Sequence, residues 1–178
     1  MTPLCKLAFK YHTDKCPQIR HAYTPYYDSL FKNKREQVKK VMELGIEHGG
    51  SLRMWRDYFP NAQIYGVDIN PNALFTARRI TTFQANAMHG GEWDPILKET
   101  GTDIDIFVDD GLHAIRSQIN VARYLMPRLD RGVTYIIEDV RDVPQLRERM
   151  PEYECFEPEL PGKRDFIGNT ILEVRHRV

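Results

Sequence analysis

Two acidic clusters in this chain carry the residue types for chemistry. Asp109-Asp110-Gly111-Leu112-His113 sets an imidazole three residues after a carboxylate, and Glu138-Asp139 adds two further acids. Carboxylates with no Lys or Arg among them repel one another unless a cation or a proton offsets the charge. Oxygen donors of this kind suit Mg²⁺, Mn²⁺ or Ca²⁺. His113 has the residue type of a general base at neutral pH. A third feature is glycine-rich: Glu43-Leu44-Gly45-Ile46-Glu47-His48-Gly49-Gly50-Ser51, with Asp68 following 23 residues after Gly45. Glycine lets the backbone turn sharply beside a ligand, and an acid at that offset commonly accepts hydrogen bonds from a ribose diol. The spacing is not G-x-G-x-x-G, so the loop suits an adenosyl ligand without a pyrophosphate better than a dinucleotide. Each feature also has a plain structural reading: Asp68, Asp109 or Asp110 as helix or turn caps, and His113 as a hydrogen-bonded loop residue.

The elements that must position these residues alternate between strand and helix signals. Apolar runs predict strands at Val41–Leu44, Ile64–Ile69, Ile80–Gln84, Asp103–Val108 and Gly132–Ile137. The fourth is expected to show Ile104, Ile106 and Val108 on one face. Between them, Leu52, Trp55 and Phe59 recur at helical spacing, residues 91 to 99 read as a helix closed by Gly101, and Ile115, Ile119, Ala122 and Met126 form an apolar stripe. After residue 141, Pro144, Pro151, Pro158 and Pro161 mark a loop-rich stretch around one short helix. Tyr153–Phe156 and Thr170–Val174 are expected to pair antiparallel. The pattern is that of an α/β chain: a Rossmann-like, doubly wound, mostly parallel seven-stranded sheet with a C-terminal antiparallel pair. Ligands of such sheets sit at the C-terminal ends of the strands, where all three features fall. Strands four and five should be neighbours, so both acidic clusters would face one cleft.

The 178 residues make one domain by length, read as an N-terminal helical lid segment (1–35), a cofactor and metal core (38–140) and C-terminal strands and loop (141–178). Lys+Arg and Asp+Glu number 25 each. A neutral chain lacks the basic surplus of a general nucleic-acid binder. Acids gathered at one edge of the sheet imply that the balancing bases lie elsewhere. No apolar run reaches membrane-spanning length and the N-terminus has no signal-peptide core. Three scattered cysteines, Cys5, Cys16 and Cys155, fit reduced thiols and a cytoplasmic home. The stretch Tyr11 to Lys15, with His21, Tyr23, Tyr26 and Tyr27, reads either as an amphipathic helix with tyrosine hydroxyls at its edge or as a lid over the cleft. The basic residues Lys32, Lys34, Arg35, Lys39 and Lys40 read as a solvated helix end.

Tyr11-His-Thr-Asp-Lys15 with His21, Tyr23 and Tyr27, the glycine loop through Trp55, Tyr58-Phe59-Pro60, Gly66-Val-Asp68, Asp109-Asp-Gly-Leu-His113 and Tyr135-Ile-Ile-Glu-Asp139 form an ordered set. That set resembles class I S-adenosylmethionine-dependent O-methyltransferases, among them the macrolide sugar O-methyltransferases of the mycinamicin and demethylmacrocin type. The resemblance implies that Gly45, Glu47, Gly49 and Ser51 contact the methionine part of the cofactor, with Glu43 and Asp109 also on the cofactor side. It implies that Asp68 holds the ribose and that Gln84, Asn86 and Ala87 lie near the adenine. By the same resemblance Asp110 and Asp139, with Glu138 as a further ligand, hold a divalent cation (Mg²⁺ or Mn²⁺), and His113 is the base. The acceptor would be a hydroxyl of a sugar, glycoside or glycan. His12, Leu112 and Asp130-Arg-Gly-Val133 depart from the family pattern, and Leu112 alters the contact between acceptor and base. The chain is close in size to a minimal catalytic domain, so acceptor identity is not carried over. A metal-held catechol or other small diol would leave much the same trace. Two other classes stand beside this reading: a nucleotide-dependent oxidoreductase, and a non-catalytic cofactor-binding module on the same fold.

Overall fold

The computed structural model describes residues 1–160 and 169–177; Pro161 and the last residue of the 141–178 stretch lie outside them. The elements in chain order are α1 (Pro3–Lys10), α2 (Tyr23–Phe31), β1 (Lys40–Leu44), α3 (Gly50–Tyr58), β2 (Gln63–Asp68), β3 (Ile80–Gln84), α4 (Trp93–Thr100), β4 (Ile106–Asp109), α5 (Ile115–Leu125), β5 (Thr134–Ile137), α6 (Val143–Arg149), β6 (Tyr153–Phe156) and β7 (Leu172–His176). The sheet order is β3-β2-β1-β4-β5-β7-β6. The first five strands in that order are parallel, and β7 pairs antiparallel with both β5 and β6. This is the seven-stranded, Rossmann-like sheet with an antiparallel closing pair that the pattern predicts. Among the described residues no helix is long and apolar enough to cross a membrane.

Side chains alternate across the sheet with the period of two that a pleated strand imposes. Ile64, Ile106, Val108 and Ile136 join Trp55, Phe59 and Phe31 in one apolar layer, beneath α1, α2 and α3. Met42, Phe107, Tyr135 and Ile137 join Trp93, Leu125 and Leu146 in the other, beneath α4, α5 and α6. The inner strands β1, β4 and β5 are therefore buried on both faces, as their near-continuous apolar runs require, while the edge strand β3 is only half-covered.

Two expectations are corrected. Ile104 does not share a face with Ile106 and Val108 but packs with Phe107. The strand begins only at Ile106; just before it, the Asp105 carboxylate accepts the Lys39 and Lys40 N–H groups at 2.6 and 2.9 Å and ties this segment to the start of β1. Likewise β7 starts at Leu172 instead of Thr170, whose carbonyl accepts from Val140 N at 2.9 Å, beyond the end of β5. Strand order reverses between β1 and β4, and the C-terminal ends of those two strands open the crevice that the fold offers to ligands.

Candidate active site

The crevice is a cavity of about 700 Å³ floored by the ends of β1, β2 and β4. On its β1–β2 side the chain turns at Gly45, where φ is +94° and the N–H donates to the Val67 carbonyl at 2.8 Å. A Cβ at Gly45 would lie 2.1 Å from the Asp110 carbonyl oxygen, so the two strand ends approach only because that position is bare. Asp68, at the end of β2, fixes the turn. Its Oδ2 accepts from Ile46 N at 2.8 Å and Glu47 N at 3.4 Å, and its Oδ1 accepts from Asn70 N at 2.8 Å. Beyond β3, Asn86 N donates to Glu92 Oε2 at 2.7 Å, and Asn86 Oδ1 accepts from Met88 N at 3.1 Å. Those bonds lay Asn86, Ala87 and Met88 along the wall.

At the β4–β5 side, Asp110, His113 and Asp139 converge, with one donor atom of each within 4.8 Å of the others. His113, at a left-handed φ of +52°, holds its Nε2 3.0 Å from Asp110 Oδ1 and its Nδ1 3.5 Å from Asp139 Oδ2. The hydrogen bond to Asp110 raises the imidazole pKa above its ordinary value. Tyr23 OH donates to Asp139 Oδ1 at 2.7 Å. Behind this group sits Lys15, 1% exposed. Its ammonium donates to Asp110 Oδ2 and Glu138 Oε2, each at 2.5 Å, and lies 3.3 Å from Glu43 Oε1. Burial pushes the lysine down, but the carboxylates around it prevail and hold it well above its ordinary pKa. Glu138 also accepts from Tyr27 OH at 2.5 Å, and Glu43 accepts from the Trp55 indole N–H at 2.6 Å. Burial pushes Asp109 up to about 7.

Residues 42–140, more than half the chain, match the methyltransferase domain family. The chain belongs to that family. It is 38% identical over 144 residues to the 8-demethyl-8-(2-methoxy-alpha-L-rhamnosyl)-tetracenomycin-C 3'-O-methyltransferase of Streptomyces olivaceus, covering 77% of this chain and 36% of that one. It is 37% identical over 145 residues to the mycinamicin VI 2''-O-methyltransferase of Micromonospora griseorubida, with the same coverage. It thus spans little more than a third of the length of these curated relatives. Among solved structures, the MycE methyltransferase of mycinamycin biosynthesis, in complex with Mg and SAH, superposes with a TM-score of 0.76 at 26% identity. That match covers 98% of this chain and 54% of MycE. Family membership decides against the nucleotide-dependent oxidoreductase.

Within this methyltransferase domain the cavity wall takes in Gly45, Glu47, Ser51, Asp68, Asn86, Ala87, Asp110, His113 and Asp139 of the candidate residues. Five others stand off it. Gly49, at φ +69°, starts α3, and a Cβ there would be 2.4 Å from the Phe75 ring. Gln84 is exposed and its amide donates to the Ile69 carbonyl at 3.3 Å. Glu43, Asp109 and Glu138 are buried behind the wall, and the last has its two oxygens on Lys15 and Tyr27. The bases balancing the acids are not all elsewhere, as the charge count suggested: Lys15 is at their centre. Of the N-terminal segment, Tyr11 to Asp14 and Arg20 line the cavity, while Tyr23 and Tyr27 donate to its acids. The basic run stays away from the cleft, with Lys40 on Asp103 and Arg35 on the Tyr58 carbonyl. Sequence reasoning placed Lys15 only in the Tyr11–Lys15 stretch and gave it no part in the acid cluster, although buried acids call for a counter-cation. It passed over Ile69, Met88 and Ser117 as site residues, whose types carry no such signal.

Proposed function

We propose that this chain transfers a methyl group from S-adenosylmethionine to a hydroxyl of a sugar, glycoside or glycan, with a divalent cation assisting. The observation that carries this reading is the convergence of two unlike half-sites on one cavity: the Gly45 turn with Asp68 and Asn86, and the Asp110–His113–Asp139 group. Similar proteins that methylate rhamnosyl or macrolide sugars, and MycE with its Mg and SAH, support it.

The residues fit both groups. The Asp110 and Asp139 carboxylates, each half-buried on the wall, are oxygen donors for Mg²⁺ or Mn²⁺, and the His113 imidazole beside them is left for the proton. The bare Gly45 turn and the Asp68 carboxylate fit an adenosyl ligand, with Gly45, Glu47 and Ser51 toward its methionine end and Asn86 and Ala87 toward adenine. When bound, the sulfonium supplies the methyl group and the cation lowers the energy of the acceptor alkoxide. Asp110 and Asp139 hold the ion. His113 takes the acceptor proton, and the Asp110 carboxylate 3.0 Å away stabilises the imidazolium that results. Glu43, Asp109 and Glu138 act from behind the wall, by holding their neighbours. Three free cysteines, two of them buried, fit a cytoplasmic setting.

The test is transfer of a labelled methyl group from the cofactor to a panel of glycosides in Mg²⁺. Methylated glycoside that disappears with EDTA is the expected outcome. Cofactor binding without transfer to any glycoside or diol would leave the non-catalytic module standing. Transfer insensitive to EDTA would remove the cation.

A further inference from the structure

Lys15 is the one group in the acid cluster whose position the proposed reaction does not explain. It comes from the N-terminal segment, two residues after Thr13 on the cavity wall, yet its ammonium is fully enclosed. Three carboxylates surround it: Asp110 and Glu138 at 2.5 Å and Glu43 at 3.3 Å. They arrive on the ends of β4, β5 and β1, so one cation joins three neighbouring strands.

Asp110 is shared. Its Oδ2 accepts from Lys15, and its Oδ1 faces His113 and the cavity. One carboxylate therefore has a built-in cation on its inner side and the candidate divalent site on its outer side. Glu138 has no oxygen to spare, since Lys15 takes one and Tyr27 the other. Several carboxylates around a pair of adjacent positions are the donor pattern of two-metal sites. Here one of the two positions is filled by a side chain.

We propose that Lys15 is the fixed second cation of this site: a positioning residue that holds Asp110 by one oxygen and keeps a second divalent ion out of the space between Asp110, Glu138 and Glu43. Lys15 thereby sets the site to one exchangeable ion on the cavity side, where the acceptor enters. The inference rests on the cation reading above.

The experiment is Mn²⁺ titration of the purified chain, read by electron paramagnetic resonance of free Mn²⁺ and of the bound signal. The wild type is expected to bind one Mn²⁺ per chain. Lys15→Ala, which opens the inner position, is expected to bind two, with a spin-coupled signal from neighbouring ions. Adding Glu138→Gln to that variant should return it to one. Lys15→Gln removes the charge, reaches one atom less far and offers an amide oxygen to an ion, so it serves if the alanine variant does not fold; Mn²⁺ should raise its melting temperature more than it raises that of the wild type. A folded Lys15→Ala that binds one Mn²⁺ with wild-type affinity, or a Lys15→Gln stabilised no more than the wild type, overturns the role of Lys15 alone. A wild type that binds no Mn²⁺ overturns the cation reading itself.

Discussion

His113 stands at a left-handed φ, between Asp110 and Asp139 and open to the cavity, so its imidazole is held by both backbone and carboxylates. Truncation to His113→Ala removes the proposed proton acceptor and leaves the Gly45 turn and Asp68 untouched. Methyl transfer should fall by roughly 10²–10⁴, the usual range for a general base, while the dissociation constant for S-adenosylhomocysteine by calorimetry stays within about twofold, well under 1 kcal/mol. Wild-type turnover in that variant would take His113 out of the reaction. Gly45→Ala should act the opposite way. The new methyl would meet the Asp110 carbonyl at 2.1 Å at a φ that disfavours side chains. The resulting displacement should weaken cofactor binding and cost roughly 1–3 kcal/mol of stability in denaturant unfolding. Asp110, His113, Asp139 and Gly45 were legible because their types are rare in apolar strand ends. Lys15 was not, because its meaning depends on partners 28, 95 and 123 residues away in the chain.

Among the elements, α1 and the loop after it are fastened to α3 by one carboxylate. Asp57 accepts from Tyr11 OH, from Lys10 Nζ at 3.3 Å and from Arg56 Nε at 2.8 Å. Partial burial works to raise the Asp57 pKa, but the hydrogen bonds from Arg56 and Tyr11 prevail and hold it at about 2, below its ordinary 3.8. A depressed carboxyl contributes stability that is present above pH 3.8 and is lost as pH falls toward 2. Asp57→Asn should therefore lower the melting temperature at neutral pH, by about 2–4 °C for a loss near 1 kcal/mol. The difference from wild type should shrink as pH falls through 3.8 toward 2 and vanish only below pH 2. A constant difference across that range in a thermal-melt series would show that the contact does not act through the carboxylate charge. Strand and helix positions were legible from period alone. Where they slipped, at Ile104 and Thr170, the flanking chain is still tied to its neighbours by backbone and Asp105 side-chain hydrogen bonds, and apolar pattern does not show where regular strand pairing stops. The tie between α1 and α3 was equally hidden, since Tyr11 read only as part of the N-terminal helix or lid stretch and Asp57 drew no reading.

For the whole molecule, the reversal of strand order between β1 and β4 divides the cavity into two halves with separate supports. The Gly45 turn is held by Asp68 from β2, and the acid group by Lys15, Tyr23 and Tyr27 from the N-terminal segment. The halves meet at the close approach of Gly45 to the Asp110 carbonyl, a backbone contact that side-chain truncation elsewhere leaves in place. Binding of the two ligands should therefore separate cleanly. Asp68→Ala loses the carboxylate that fixes Ile46 and that the proposed cofactor site assigns to the ribose, and should weaken S-adenosylhomocysteine about tenfold, or 1.4 kcal/mol. Its Mn²⁺ stoichiometry and affinity should match those of the wild type. Asp139→Ala should do the reverse. At about a hundredfold excess over its dissociation constant, S-adenosylhomocysteine should stabilise Asp139→Ala as it does the wild type, by about 2.7 kcal/mol or roughly 5–10 °C. At that same concentration, a tenfold loss of affinity should leave Asp68→Ala stabilised by only about 1.4 kcal/mol, roughly half the wild-type shift. If either substitution abolished both ligands while the chain stayed folded by circular dichroism, the cavity would be one coupled site. The Gly45–Asp110 contact would then be the route by which each half depends on the other.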